Sequence, residues 1–107
     1  MTLELAYHPN LYLGESIHMK KLDKIKKKLE NKPLFCRVYL VVISRNPSGL
    51  LEIYQARQLA QEYYRKYPPY IVGIAGGWTE AVLLVKGIVE ECLKTRGDCA
   101  LKEYLQC

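Results

Sequence analysis

The chain has 107 residues, half of them hydrophobic and a quarter charged, and a formal net charge of +5 at pH 7. This length fits one domain, 1–107, and the composition excludes disordered, collagen-like and disulfide-only chains, because there are enough apolar residues to form a core. The longest uninterrupted apolar stretch, Val38–Ile43, is far too short to span a bilayer, and no secretory signal is visible. The sequence therefore predicts a cytoplasmic protein without a membrane partner.

The N-terminal region is predicted to hold one short strand. Leu11–Leu13 is an apolar run, and Gly14 ends it with a turn. Upstream, residues 3–7 alternate between apolar and other side chains, which suggests an additional edge strand that Pro9 closes.

A basic helix is predicted next. Ser16 is a good N-cap residue, apolar side chains recur three and four positions apart from Met19 to Leu29, and Pro33 follows the predicted end. Six lysines occupy its other faces: Lys20, Lys21, Lys24, Lys26, Lys27 and Lys28.

The middle of the chain is predicted to form a strand and a second helix. Leu34–Ser44 is nearly continuously apolar and is interrupted only by Arg37, which is typical of a central strand buried on both faces. Asn46-Pro47 then provides helix-starting residues, and apolar side chains from Ile53 to Tyr67 keep a helical spacing.

The C-terminal region repeats this order. Tyr70–Ala75 is predicted to be a buried strand, and Gly76-Gly77 breaks it. Thr79 is predicted to cap a third helix that stops at Gly97. Cys99–Leu105 is predicted to be a short strand, and the chain ends, 1–9 and 98–107, are expected to be loosely attached.

Strands and helices that alternate in this way build right-handed crossovers. We therefore predict an α/β fold, namely a single small domain in βαβαβαβ order with a mainly parallel sheet of three to five strands and three helices.

Four segments carry a resemblance to known sequences. They are Leu11–Gly14, Glu52–Leu59, Tyr63–Lys66 and Pro69–Gly77. In these segments the chain resembles a group of small bacterial proteins of unknown function, over about residues 11–97. The resemblance implies no activity, cofactor or site residue.

The candidate site lies where parallel strands end. Ligands of open α/β sheets bind at this edge, and helix N-termini and an arginine suit an anion there. The candidate residues are Ser16, Arg45, Asn46, Gly76, Gly77, Trp78 and Thr79. Most also have structural explanations as caps or turns, and Trp78 either packs over a helix end or stacks on a ligand.

Catalytic and cofactor motifs are missing from the sequence. Gly76-Gly77-Trp78-Thr79 fits neither a dinucleotide fingerprint nor a phosphate loop, and no nucleophile elbow is present. Four scattered cysteines and two histidines support no metal site. We therefore expect a binding module for a small anionic ligand or a protein partner rather than an enzyme, with no cofactor and no metal; a small enzyme and a subunit that assembles through an exposed sheet edge are the further alternatives.

The alternative function is electrostatic binding of nucleic acid. The six lysines of the basic helix either form a solvated face or follow phosphates, with Arg65 as a further cation. In Tyr63–Tyr67 aromatic residues alternate with cations, but the helical spacing assigns Tyr63 and Tyr67 to the core.

Overall fold

Four strands form one mixed sheet in the computed structural model, which describes residues 5–43 and 51–97. The strands are β1 (Ala6–Leu13), β2 (Tyr39–Ile43), β3 (Leu51–Gln55) and β4 (Tyr70–Ala75). The helices are α1 (Leu22–Asn31), α2 (Glu62–Lys66) and α3 (Trp78–Arg96), and 3-10 turns span Met19–Lys21, Pro33–Phe35 and Ala56–Ala60. The prediction of a small α/β domain is confirmed.

The direction of the strands differs from the prediction. Their order is β1-β4-β2-β3, in which β1 and β4 are parallel and β2 is antiparallel to both of its neighbours. A mainly parallel sheet is therefore the wrong description. Only residues 44–50 separate β2 from β3 in the sequence, whereas a parallel connection needs a crossover of roughly a dozen residues or more.

The second predicted helix is wrong over its first half. Residues 51–55 form β3, residues 56–60 form a 3-10 turn, and only Glu62–Lys66 is α-helical. Gln61 has an extended backbone (φ −71°, ψ 142°), which separates the turn from α2. The apolar spacing around Ile53 fits a strand as well as a helix, because Leu51 and Ile53 alternate with Glu52 and Tyr54.

β2 and β4 occupy the centre of the sheet. Leu40 and Val42 face the side covered by α1 and the 3-10 turns, where Leu29 of α1 is fully buried. Val41 and Ile43 face the opposite side, which α3 covers. The central strand predicted within residues 34–44 is therefore present, and both of its faces are buried.

That strand begins later than predicted. Leu34 and Phe35 belong to a 3-10 turn that starts at Pro33, and their side chains are 66% and 69% exposed. A proline at the first position of a turn lacks only an N–H that would have no partner there, so Pro33 favours the turn over an extended strand.

β1 is one continuous edge strand. It includes Pro9, where the sequence predicted a break, and its register against β4 shifts between Tyr7 and Tyr12. An edge strand tolerates proline, since its outer N–H groups need no partner in the sheet.

The helix ends differ from the predictions at two positions. α1 begins at Leu22 after a 3-10 turn, so Ser16 is not its N-cap. α3 begins at Trp78, and its N-cap is Gly77, two residues before the predicted cap Thr79. The predicted stop at Gly97 is confirmed, because Gly97 is left-handed (φ 78°) and its N–H donates to Leu93 O at 2.8 Å.

The two chain ends are only partly described. Residues 6–9 belong to β1, while residues 1–4 and 98–107, including the predicted terminal strand, lie outside the described residues. Within the described part of the chain, no helix has the length and apolarity needed to cross a bilayer.

Candidate functional site

One edge of the sheet collects most of the predicted site. β1 and β4 end here and β2 begins here, since Tyr39 lies opposite both Ala75 and Gln55. We call this the Gly76 edge. Five predicted residues follow β1 or β4 directly and meet at it: Ser16, Gly76, Gly77, Trp78 and Thr79.

The remaining two predicted residues, Arg45 and Asn46, lie outside the described residues. They follow β2, whose last residue, Ile43, is opposite Tyr70, the first residue of β4. β2 therefore contributes its amino end to the Gly76 edge and ends at the opposite edge. The assumption that all strands end together is wrong because β2 is antiparallel to β4.

Glu80 occupies the N-terminus of α3. Its carboxylate accepts hydrogen bonds from the Ser16 N–H at 3.0 Å and from the Ser16 hydroxyl at 2.8 and 2.9 Å. The Gly76 N–H also donates to it. An acid in the first turn interacts favourably with the helix dipole as well.

These contacts determine the ionisation of Glu80. Partial burial opposes the charge, but the hydrogen bonds from the Ser16 hydroxyl, the Ser16 N–H and the Gly76 N–H outweigh it and lower the pKa of Glu80 below its usual value. The donors predicted to hold a ligand anion are thus already engaged by the chain's own carboxylate.

Two glycines make room for this arrangement. A Cβ atom at Gly14 would overlap the Glu80 carboxylate, and a Cβ at Gly76 would lie 3.2 Å from Ser16 Cβ and even closer to Ser16 Oγ. Gly14 and Gly76 therefore permit the contact between Ser16 and Glu80, which is a structural role.

Trp78 lies at the surface beside the site. Its side chain is 57% exposed, and its ring contacts Tyr39 edge-on, with centroids 6.2 Å apart and planes at 72°. Trp78 is therefore not a core residue. Thr79 is also exposed.

A cleft that was not predicted from the sequence opens next to Tyr39. It measures about 470 Å³, and the described residues that line it include two arginines and no carboxylate. Its lining residues are Leu34, Cys36, Arg37, Val38, Tyr39, Gln55 and Arg57. We call it the arginine cleft. Its signal in the sequence was Arg37, the one charge within a long apolar run.

Arg37 and Arg57 give the arginine cleft its positive charge. Arg37 and Arg57 are exposed, and within the described ranges neither guanidinium has an ion-pair partner. Burial raises the pKa of the Cys36 thiol, and this outweighs the opposing effects of a backbone hydrogen bond at Val38 and of Lys28. Cys36 is therefore a neutral thiol rather than an activated nucleophile.

The side of the sheet covered by α1 holds the residues of the alternative function. Five of the six lysines are exposed, and Lys26 is half-buried with its Nζ 4.7 Å from the centroid of the Tyr7 ring. Tyr63 and Tyr67 are 56% and 49% exposed, so their assignment to the core is wrong. Nucleic-acid binding remains a prediction.

Comparisons with protein-family models, with curated proteins and with solved structures find no match for this chain. The resemblance to small bacterial proteins remains a prediction. Among residues 5–43 and 51–97, no group of three His, Cys, Asp or Glu side chains is placed to hold a metal ion.

Proposed function

We propose that the protein binds a small anionic ligand at the Gly76 edge, in the arginine cleft. The observation that carries this proposal is the pair Arg37 and Arg57, which line one cleft without a carboxylate partner among the described residues. Guanidinium groups bind carboxylate and phosphate oxygens in pairs of parallel hydrogen bonds. Two of them in one cleft suit a ligand with more than one anionic oxygen.

The backbone holds the two arginines in register. The Ala56 N–H donates a hydrogen bond to Val38 O at 3.0 Å. Ala56 precedes Arg57 and Val38 follows Arg37, so this bond joins the backbone next to the two arginines. Ala56 is fully buried, which fixes the start of the 3-10 turn that carries Arg57. Because the backbone is already fixed on both sides of the cleft, only the arginine side chains have to be ordered when an anion binds, which limits the loss of conformational entropy.

The size of the cleft favours a small ligand over the protein partner that the sequence left open. A volume of about 470 Å³ falls within the range of small-molecule sites, roughly 300–1,000 Å³. Cys36 contributes a thiol to the lining of the cleft. Because burial raises its pKa and keeps it neutral, the thiol is a poor nucleophile, which supports ligand binding rather than a reaction.

The experiment is isothermal titration calorimetry of the protein with inorganic phosphate, with citrate and with acetate. We expect citrate and phosphate to bind more tightly than acetate, because each presents several anionic oxygens. Arg37→Gln and Arg57→Gln should each weaken binding about tenfold, since a charge-assisted hydrogen bond contributes roughly 1.5–3 kcal/mol.

Arg65→Gln is the matched control. Arg65 is an exposed arginine on α2 and does not line the arginine cleft. It should leave citrate affinity unchanged. Equal losses in all three variants, or no binding of any probe at millimolar concentration, would contradict the proposal.

A further inference from the structure

Two tyrosine rings form an exposed platform at α2, Tyr63 within the helix and Tyr67 at its C-cap. Tyr63 and Tyr67 are one helical turn apart, their ring centroids are 5.3 Å apart, and about half of each side chain is exposed. We call them the tyrosine platform. Large apolar rings on a surface mark a binding site when they are clustered rather than scattered.

The platform rests on a second layer of aromatic rings. Tyr64 contacts Tyr63 edge-on at 5.1 Å and Tyr54 at 5.3 Å. The Tyr54 hydroxyl donates to Glu52 at 2.9 Å. Tyr54 of β3 therefore supports Tyr64, and Tyr63 of the platform packs on this second layer.

Cations lie on the same side of the sheet as the platform. Arg65 and Lys66 are exposed on α2, together with one exposed acid, Glu62. The turn at 33–35 contacts both α1 and the turn at 56–60, and α2 packs against the latter, so α1 and α2 belong to one continuous surface. Residues 20–32 of this surface carry seven lysines and only two acids, Asp23 and Glu30.

The opposite side of the sheet lacks this charge. α3 covers it and carries three basic and three acidic residues, so its formal charge is balanced. The positive charge of the described chain is thus concentrated on the side that also presents the tyrosine platform.

We propose that this side binds single-stranded nucleic acid, independently of the arginine cleft. Bases stack on the rings of Tyr63 and Tyr67, while Arg65, Lys66 and the lysines of α1 contact phosphates. A single strand is favoured because its bases have free ring faces, whereas those of a duplex are stacked on one another. Sequence preference should be weak, since ring stacking and phosphate contacts do not read base edges.

The test measures fluorescence anisotropy of a labelled 15-nucleotide oligo-dT and of a duplex of equal length, at about 50 mM salt. We expect the single strand to bind more tightly than the duplex. Tyr63→Ala and Tyr67→Ala should each weaken single-strand binding about tenfold, while Tyr63→Phe and Tyr67→Phe retain it, because the ring rather than the hydroxyl makes the contact.

Two further variants complete the test, one as a control for exposed apolar surface and one for the contribution of the lysines. Leu83→Ala removes an exposed apolar side chain of α3 and should leave the affinity unchanged. The triple variant Lys24→Glu, Lys27→Glu, Lys28→Glu should reduce affinity and flatten its salt dependence. Equal affinity for duplex and single strand, full binding by the Ala variants, or no binding of oligo-dT at all would overturn the proposal; citrate binding in the arginine cleft is unaffected by any of these results.

Discussion

The Ser16 hydroxyl lies 2.8 and 2.9 Å from the two carboxylate oxygens of Glu80, 64 positions away in the sequence. This contact joins the loop after β1 to the first turn of α3. β1 and β4 pair in parallel, and α3, the longest helix of the described chain, follows β4. The hydrogen bonds from Ser16 to Glu80 therefore attach the end of the edge strand β1 to the start of α3. Ser16 lies six residues before Leu22, the first residue of α1, and its hydroxyl binds Glu80 of α3 instead of capping α1.

Stability should depend on pH through Glu80. Its pKa is lowered in the folded protein, so its contribution is fully present above the usual carboxyl pKa of 4.5 and is lost as the pH falls through the folded value. Glu80→Gln should lower the free energy of unfolding by about 1 kcal/mol at pH 7, a modest figure because the site is solvent-accessible.

Urea unfolding of both proteins between pH 7 and pH 3 checks this. The difference between wild type and Glu80→Gln should narrow below about pH 4.5, and Ser16→Ala should behave like Glu80→Gln. Glu90→Gln, an exposed position on the same helix, is the control and should leave stability at pH 7 unchanged. A difference that stays constant over the whole range would contradict the prediction.

Replacing glycine by alanine should have opposite effects on stability at the Ser16–Glu80 contact and in the middle of α3. A Cβ at Gly76 would lie 3.2 Å from Ser16 Cβ and 3.4 Å from Glu80 Oε2, so Gly76→Ala should destabilise the protein by about 1–3 kcal/mol. Nothing lies within 4 Å of a Cβ at Gly87, so Gly87→Ala should stabilise it by roughly 0.5–1 kcal/mol, as expected within a helix. Thermal unfolding should show a lower melting temperature for Gly76→Ala and a higher one for Gly87→Ala than for the wild type.

The emission of Trp78 should report on the arginine cleft. Trp78 contacts Tyr39, which lines the cleft, and no other tryptophan is present in the chain. Acrylamide should quench the free protein efficiently because the ring is exposed, and saturating citrate should change the emission. Arg37→Gln should abolish the citrate response and keep the quenching. An emission spectrum unaffected by a bound anion would place the binding site elsewhere.

Backbone amides should exchange at different rates across the sheet. Leu40, Val42, Ile71 and Ile74 lie in the two central strands and are almost completely buried, so their amides should be among the slowest to exchange with solvent. The amides of β3, an edge strand, should exchange faster. Hydrogen exchange followed by NMR measures both, and fast exchange throughout β2 and β4 would remove the argument for a central pair.

Features that depend on local sequence were predicted well. α3 has a regular apolar stripe, Glu80 in its first turn and Gly97 at its end, and these signals agree with one another. β2 and β4 are recognisable because strands buried on both faces need nearly continuous apolar residues. Each of these signals lies within about twenty neighbouring residues.

Features that depend on distant partners were not predicted. β3 is short and only half-buried, so the residues around Ile53 fit two periodicities, and pairing with β2 decides between them. The same pairing brings Arg57 next to Arg37. The hydrogen bonds from the Ser16 N–H and hydroxyl to Glu80 were not predicted either, because no sequence pattern links residues that are so far apart in the chain.

The position of β1 has a consequence for how the molecule is assembled. β1 ends at Leu13, and β4, its partner in the described sheet, begins only at Tyr70. β2 and β3 are neighbours in the sequence and can pair as soon as both have been synthesised, whereas β1 must wait until β4 has emerged from the ribosome. Pairing between such distant strands is slow because a long loop must close first. The earliest strand of the described chain is thus paired only after most of the described residues have been synthesised.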